Sequence, residues 1–376
     1  MKWVITVFLT AGLSVTASGA GLDCSSCHSE RVSTLKASVH GSLNCNSCHA
    51  AIQAYPHPEK DKMKVNCGSC HANNGSDVAA SVHAHAGPEP CLNCHGNAHA
   101  ILASSNPKSQ TYAQNLPRTC GECHGTKQGN SGEVYSKYID SIHGFALTKD
   151  GLLVAASCSS CHGAHKILSS KDPKSRTNHA NIPETCGACH GGPKAAFQSS
   201  IHGQILEAGV ADGPVCTTCH TTHQISSMRE VGTQIKTAAT CGGCHKDEYT
   251  TYNDTFHAQV SALGFRQTAR CWDCHGFHDI LPASDVKSTV APANLVTTCG
   301  KCHANANASF VEFDPHADSH NAKKYPLLHG SAIFMNLLLA SVLGFFALHT
   351  ILWFIRARVA HVPPVHKGGP AVDSRS

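Results

Sequence analysis

The sequence predicts a chain of loops and short α-helices with no large sheet, closed by one long apolar helix. Three observations predict it. The motif CxxCH occurs eleven times in 376 residues. Between the motifs, 31 glycines and 17 prolines punctuate the chain too often for long regular elements. Near the C-terminus, Ser331 to Ile355 form a run of 25 residues without a charge, long enough to cross a bilayer as a tilted helix.

Taken in order, the first element is residues 1–20, "MKWVITVFLTAGLSVTASGA". Lys2, an apolar run and a small-residue exit predict a signal peptide cleaved after Ala20, and therefore export. A lipid attachment at Cys24 does not fit, because Asp23 precedes it and the first CxxCH motif needs that cysteine.

The motifs come next. In CxxCH the two thiols add across the vinyl groups of a heme, and the adjacent histidine binds its iron. The eleven are Cys24, Cys27 and His28; Cys45, Cys48 and His49; Cys67, Cys70 and His71; Cys91, Cys94 and His95; Cys120, Cys123 and His124; Cys158, Cys161 and His162; Cys186, Cys189 and His190; Cys216, Cys219 and His220; Cys241, Cys244 and His245; Cys271, Cys274 and His275; and Cys299, Cys302 and His303. They use all 22 cysteines of the chain. Zinc or a redox dithiol would also use CxxC, but neither explains a histidine placed identically after every pair. The sequence therefore predicts eleven covalent heme c groups.

Composition agrees. Charged residues make up only 14% and aromatics 6%. Each motif commands about 28 residues of exported chain, too few to own a protein core, so the hemes themselves would form it. The formal charge of +4 would fall to about −18 once 22 propionates are counted against it with ferrous iron. No Lys/Arg cluster of the kind that binds nucleic acid is present.

The other histidines fall into two classes. His40, His83, His202 and His257 follow the first, third, seventh and ninth motif histidines by twelve residues. His143 follows its motif by nineteen and His316 by thirteen. Five of these six sit in similar flanks: "SVHG", "SVHA", "SIHG" twice and "TFHA". The second class trails the even-numbered motifs: His99, His165, His223 and His278 close "CHGNAH", "CHGAH", "CHTTH" and "CHGFH", and His57 follows a longer spacer. The chain is thus five two-heme modules, 24–57, 67–99, 120–165, 186–223 and 241–278, with a half module at 299–316.

Six histidines of the first class and five of the second make eleven, one distal ligand per heme. The iron of an electron-transfer heme takes a second strong axial ligand, so bis-histidine iron is expected. His165 cannot serve the heme of His162, because two intervening residues do not wrap around a porphyrin. It is expected to bind a neighbouring heme, so that one short segment clamps two. Spacing alone does not decide which heme the first class serves.

His85 and His320 are alternatives to His83 and His316. His179 reads as structural, and His361 and His366 lie in a Pro/Gly-containing tail. His349, in "GFFALHTIL", stands inside the apolar run, where an ionisable side chain is costly and tends to be functional. It reads equally as a contact to a partner's heme b or a quinone and as a neutral helix contact; His329 at the outer boundary carries the same readings. Arg356 and Arg358 follow the run directly, with Lys367 and Arg375 behind, which predicts a cytoplasmic C-terminus. The expected organisation is a signal peptide at 1–20, a periplasmic domain at 21–328, a transmembrane helix with flanks at 329–358 and a cytoplasmic tail at 359–376, on the periplasmic face of the inner membrane.

The modules resemble those of multiheme c-type cytochromes of the cytochrome c3/c7 type and their larger relatives in anaerobic respiration, with CxxCH and CHxxH as the specific signatures. The resemblance implies mostly loops and short α-helices around stacked c-type hemes, plus one C-terminal transmembrane helix. The tail, "DPHADSH…GFFALHTILWF", resembles the anchor of cytochromes that accompany a membrane cytochrome b. It implies an electron-transfer subunit of a quinone:cytochrome oxidoreductase, with that cytochrome b or another quinone-reactive subunit and periplasmic cytochromes as partners. Two alternatives are a terminal reductase or hydroxylamine-oxidising enzyme, which needs one heme with an open distal face, and an extracellular cytochrome filament, which the anchor disfavours.

Overall fold

The computed structural model describes residues 23–53, 57, 64–125 and 133–360. The expected signal peptide, the three residues before His57 in its spacer, and His361 and His366 lie outside the described residues. Among the described residues there are helices, turns and loops but no strand, as expected. The chain divides into two compact units: one runs to Thr240 and includes Cys271–Pro292, the other comprises Cys241–Arg270 and the residues from Ala293 onward.

The first unit is built from short helices whose ends are set by the motifs. In the odd-numbered motifs the histidine sits where a helix breaks. His71 precedes the helix Ala72–Ala79 with φ −103° and ψ 54°, and His190 precedes Gly191–Ser199 with φ −102° and ψ 56°. His28 kinks the helix Ser25–Lys36 at φ −120° and ψ 38°. The twelve-residue gap to the next histidine is thus one short helix plus one turn.

That turn is made by the serine of SxH. Ser141 Oγ donates to the Tyr138 carbonyl at 2.6 Å and accepts from Gly144 N–H at 3.0 Å, ending Val134–Ile139 and capping Ile142–Thr148. Ser200 does the same between Gly191–Ser199 and Ile201–Glu207, at 2.6 and 3.1 Å. Ser38 and Ser81 make the same donor bond and accept from the N–H of His40 and His83. One hydroxyl satisfies an orphan amide and adds a second bond to a carbonyl that already accepts from the serine's own N–H. The glycine of SxHG is steric: a Cβ on Gly144 or Gly203 would collide with the carbonyl oxygen of Tyr138 or Phe197.

Even-numbered motifs end their helices instead. Leu92–His95, Cys158–His162 and Cys271–His275 are followed by Gly96 (φ 77°), Gly163 (φ 83°) and Gly276 (φ 84°), in the left-handed region that glycine tolerates. After Cys216–His220 the position is Thr221, with φ 65° and ψ −173°. Thr221 holds it with a bond from its hydroxyl to the Gln224 carbonyl at 2.8 Å.

A third repeated device is a loop pinned by a buried serine. The two like segments 106–117 and 172–183 carry Ser109 and Ser175, which donate to the carbonyls of Leu102 and Leu168. A third copy, not singled out by the sequence reading, carries Ser288, which donates to Leu281 at 3.0 Å. All three are at most 5% exposed. Buried apolar side chains, by contrast, are few: Leu147, Val215, Ala238 and Ala291 in this unit.

The second unit holds Lys246–Asn253 and Phe256–Ala262, joined by Thr255 with the same double bond, then Leu295–Gly300 and the 35-residue helix Pro326–Ala360. That helix leaves its apolar side chains uncovered, Phe334 at 64% and Leu343 at 60%, and its most apolar 18-residue stretch has a mean hydropathy of 2.1. At about 1.5 Å per residue it exceeds a bilayer's apolar thickness, which fits membrane anchoring.

Candidate heme-binding sites

The structure brings the histidines together in twos. Nine pairs face each other with ring centroids 6.0 or 6.1 Å apart: His28–His57, His40–His71, His49–His99, His83–His124, His95–His165, His143–His190, His162–His223, His220–His278 and His257–His303. Each pair joins one CxxCH histidine to one of the predicted distal ligands. His202, His245, His275 and His316 complete the predicted set; two belong to each unit.

The separation tests the fit of a heme iron. A metal–imidazole bond is about 2 Å, and a ring nitrogen lies roughly 1.1 Å from its ring centroid. Two imidazoles on opposite sides of one iron therefore have centroids roughly 6.2 Å apart. Direct stacking or a hydrogen bond would bring the rings closer. Among the described residues no three His, Cys, Asp or Glu converge as a protein-only metal site needs. No disulfide joins the 22 cysteines. The donor sets fit covalent heme with two axial histidines.

The pairing crosses module borders. The first-class histidine of one module meets the odd-motif histidine of the next: His40 with His71, His83 with His124, His143 with His190, His257 with His303. In return, the trailing histidine of a module meets the even-motif histidine of the one before: His99 with His49, His165 with His95, His223 with His162, His278 with His220. His165 thus faces a neighbouring motif and not His162. His57 differs and faces His28 of its own module.

A backbone bond locks each crossing in the first unit. The residue before the first-class histidine donates its N–H to the residue two beyond the next module's trailing histidine: Val39 to Ile101, Val82 to Ile167, Ile142 to Ile225 and Ile201 to Ile280, at 2.8–2.9 Å. The signal was present as "HAIL", "HKIL", "HQIS" and "HDIL", an isoleucine at constant distance that sequence reading passed over.

Electrostatics keeps these rings in the binding form. Burial first, and then the facing ring, holds His83, His143 and His257 below the usual histidine range. Burial and the facing His165, His223 and His278 do the same for His95, His162 and His220. A neutral imidazole is the form that ligates iron.

The structure also separates ligand candidates. His316 shares Nδ1 with the Glu248 carbonyl and Thr251 Oγ1, both at 3.1 Å, which orients the ring. Its rival His320 has a side chain 85% exposed and leans on Asp318. His179 Nε2 bonds the Gly213 carbonyl at 2.8 Å, in keeping with a structural role. His329 Nδ1 bonds the Ser319 carbonyl at 2.8 Å. His349 lies on the uncovered long helix beside Phe345, ring centroids 6.4 Å apart.

Comparison with known proteins agrees with the chemistry. Residues 143–221 match the family model for cytochrome c7 and related cytochrome c, and residues 208–250 match that for the doubled CXXCH motif. No curated protein and no solved structure gives a significant match. The matched stretch contains the pair His143–His190 and one member of three others.

Proposed function

We propose that this multiheme c-type cytochrome carries eleven covalent bis-histidine hemes and serves as a membrane-anchored periplasmic electron-transfer subunit. It passes electrons between the membrane quinone pool, or a cytochrome b partner, and periplasmic or extracellular acceptors. The observation that carries the reading is the set of nine histidine pairs at 6.0–6.1 Å, each with one CxxCH member. When bound, heme c supplies one-electron exchange. The chain's own residues do the rest. The cysteines would hold each heme at two points, the paired histidines would ligate its iron, and short capped helices hold those side chains in place. At the nine paired sites protein side chains would fill the positions a substrate needs, which favours electron transfer over a terminal reductase.

The long helix supports anchoring, and Arg356 and Arg358 at its end support a cytoplasmic C-terminus. In this reading His349 faces the partner's heme or quinone, since a ring nitrogen in hydrocarbon needs a polar partner. Intact mass of the membrane-extracted protein tests the stoichiometry. Eleven hemes and loss of the first twenty residues are expected, and a shortfall of one heme or more refutes full occupancy. Co-purification from solubilised membrane tests the partner.

A further inference from the structure

The interlaced pairs fix which module neighbours which, and the cysteines show in what order the attachment points follow. Within a module, the first cysteines of the two motifs touch. The thiol of Cys120 is hydrogen-bonded to that of Cys158, Cys186 to Cys216, and Cys67 to Cys91. The helices agree: Leu116–His124 packs on Cys158–His162, and Ile182–Gly187 on Cys216–His220. Between modules the proximity passes to the second cysteine of the even motif, within electrostatic range of the next module's thiols without touching them. Burial dominates the environment of Cys48, Cys94 and Cys161, and the next influence is a thiol of the following module: Cys70, Cys120 and Cys186 respectively. The order of neighbours therefore alternates, first cysteine against first cysteine inside a module, then second cysteine toward the next.

From these contacts we infer that the attachment sites of the second to eighth motifs form one unbranched line in sequence order, along which electrons pass only between consecutive sites. The inference rests on the heme reading above. A cysteine sulfur marks the thioether-bearing edge of the group it holds, so touching sulfurs place two such edges side by side. Each link between modules is backed by a backbone tie and a ring pair: Val39–Ile101 and His49–His99 between the first and second, Val82–Ile167 and His95–His165 between the second and third, and Ile142–Ile225 and His162–His223 between the third and fourth. The consequence is that any one of the interior sites is indispensable to its neighbours on both sides.

The experiment is a cryo-EM map of the full-length, detergent-solubilised holoprotein, after intact mass has counted its hemes. For each of the third to seventh motifs the two nearest irons should belong to the motifs before and after it. An iron from a non-consecutive motif lying closer overturns the line. A protein without hemes would overturn the heme reading instead, and mass reveals that case separately. A gap variant reads the same claim functionally. Cys158→Ala with Cys161→Ala removes the sixth heme, leaving ten. In membranes with quinol as donor, at least the four hemes of the second to fifth motifs should remain oxidised while dithionite reduces all ten. Prompt quinol reduction of all ten shows a branch and overturns the inference; quinol inactivity of the unaltered protein would instead tell against the quinone-coupled reading, and the iron map decides the order regardless.

Discussion

His57 and His165 are both trailing histidines of even-numbered motifs, yet they face opposite ways. His165, three residues after His162, faces His95 of the preceding module. His57, eight residues after His49, faces His28 of its own. Spacer length makes the difference. A two-residue spacer leaves the histidine on the turn that exits the motif helix, where the backbone tie holds it against the neighbour. The longer spacer "AAIQAYP" gives enough chain to fold back. The contrast teaches that an interlaced array needs an end of a different kind. His71, His124, His190 and His303 each face a histidine of the module before, and His28 faces a local one.

The largest effects should come from removing these two ligands. His165→Ala should leave the heme at Cys158 and Cys161 attached and convert the His95 iron to high spin. His57→Ala should convert the His28 iron, inside the same module. Site-resolved magnetic spectra decide both, and a high-spin iron on His162 in the first variant sinks the crossing. Nearly as large, but confined to function, is His349→Leu. The helix should still insert and heme loading stay complete. Quinol-driven reduction should fall roughly tenfold or more, equivalent to about 1.4 kcal/mol or more on the limiting step, with dithionite reduction unchanged. Equal quinol rates would return the helix to a plain tether.

Smaller effects sharpen the comparison at the level of the turn. Ser200→Ala should destabilise the fourth module by about 1 kcal/mol, through the lost cap on the Gly203 N–H. Hydrogen exchange should report it at Ile201–Glu207 and leave the His57 region untouched. Thr221→Gly should act in the opposite direction. It relieves a backbone region strained by about 1–3 kcal/mol and gives up one hydroxyl bond worth about 1 kcal/mol, so a net gain of about 1 kcal/mol is expected. A lower unfolding temperature in that variant would show that the bond to Gln224 outweighs the strain.

Much of this was legible in the sequence because the chemistry is written in fixed spacing. CxxCH, SxH and CHxxH each name a ligand, and the charge-free run before Arg356 names a helix. What was not legible is which module a ligand serves. His40 lies twelve residues from His28, yet pairs with His71. Only the tertiary register, held by Val39 and Ile101, makes that choice, and a backbone amide leaves no residue-type signature. The third pinned loop was missed because "SDVKST" lacks the proline that marks "NPKSQT" and "DPKSRT". Thr221 was invisible for the opposite reason: the side chain there is not the one the backbone angle favours.

The backbone ties have a consequence for how such a chain grows. What the second and third modules each ask of their successor, an isoleucine carbonyl, an odd-motif histidine to face the SxH ring and a trailing histidine for the even motif, is what they supply to their predecessor. A duplicated module of about sixty residues, copied in register and placed between two others, would therefore leave no ligand orphaned. Half a module would orphan ligands on both sides. The unit of insertion is a pair of hemes, and the array lengthens in even steps from the interior while its unlike ends stay fixed.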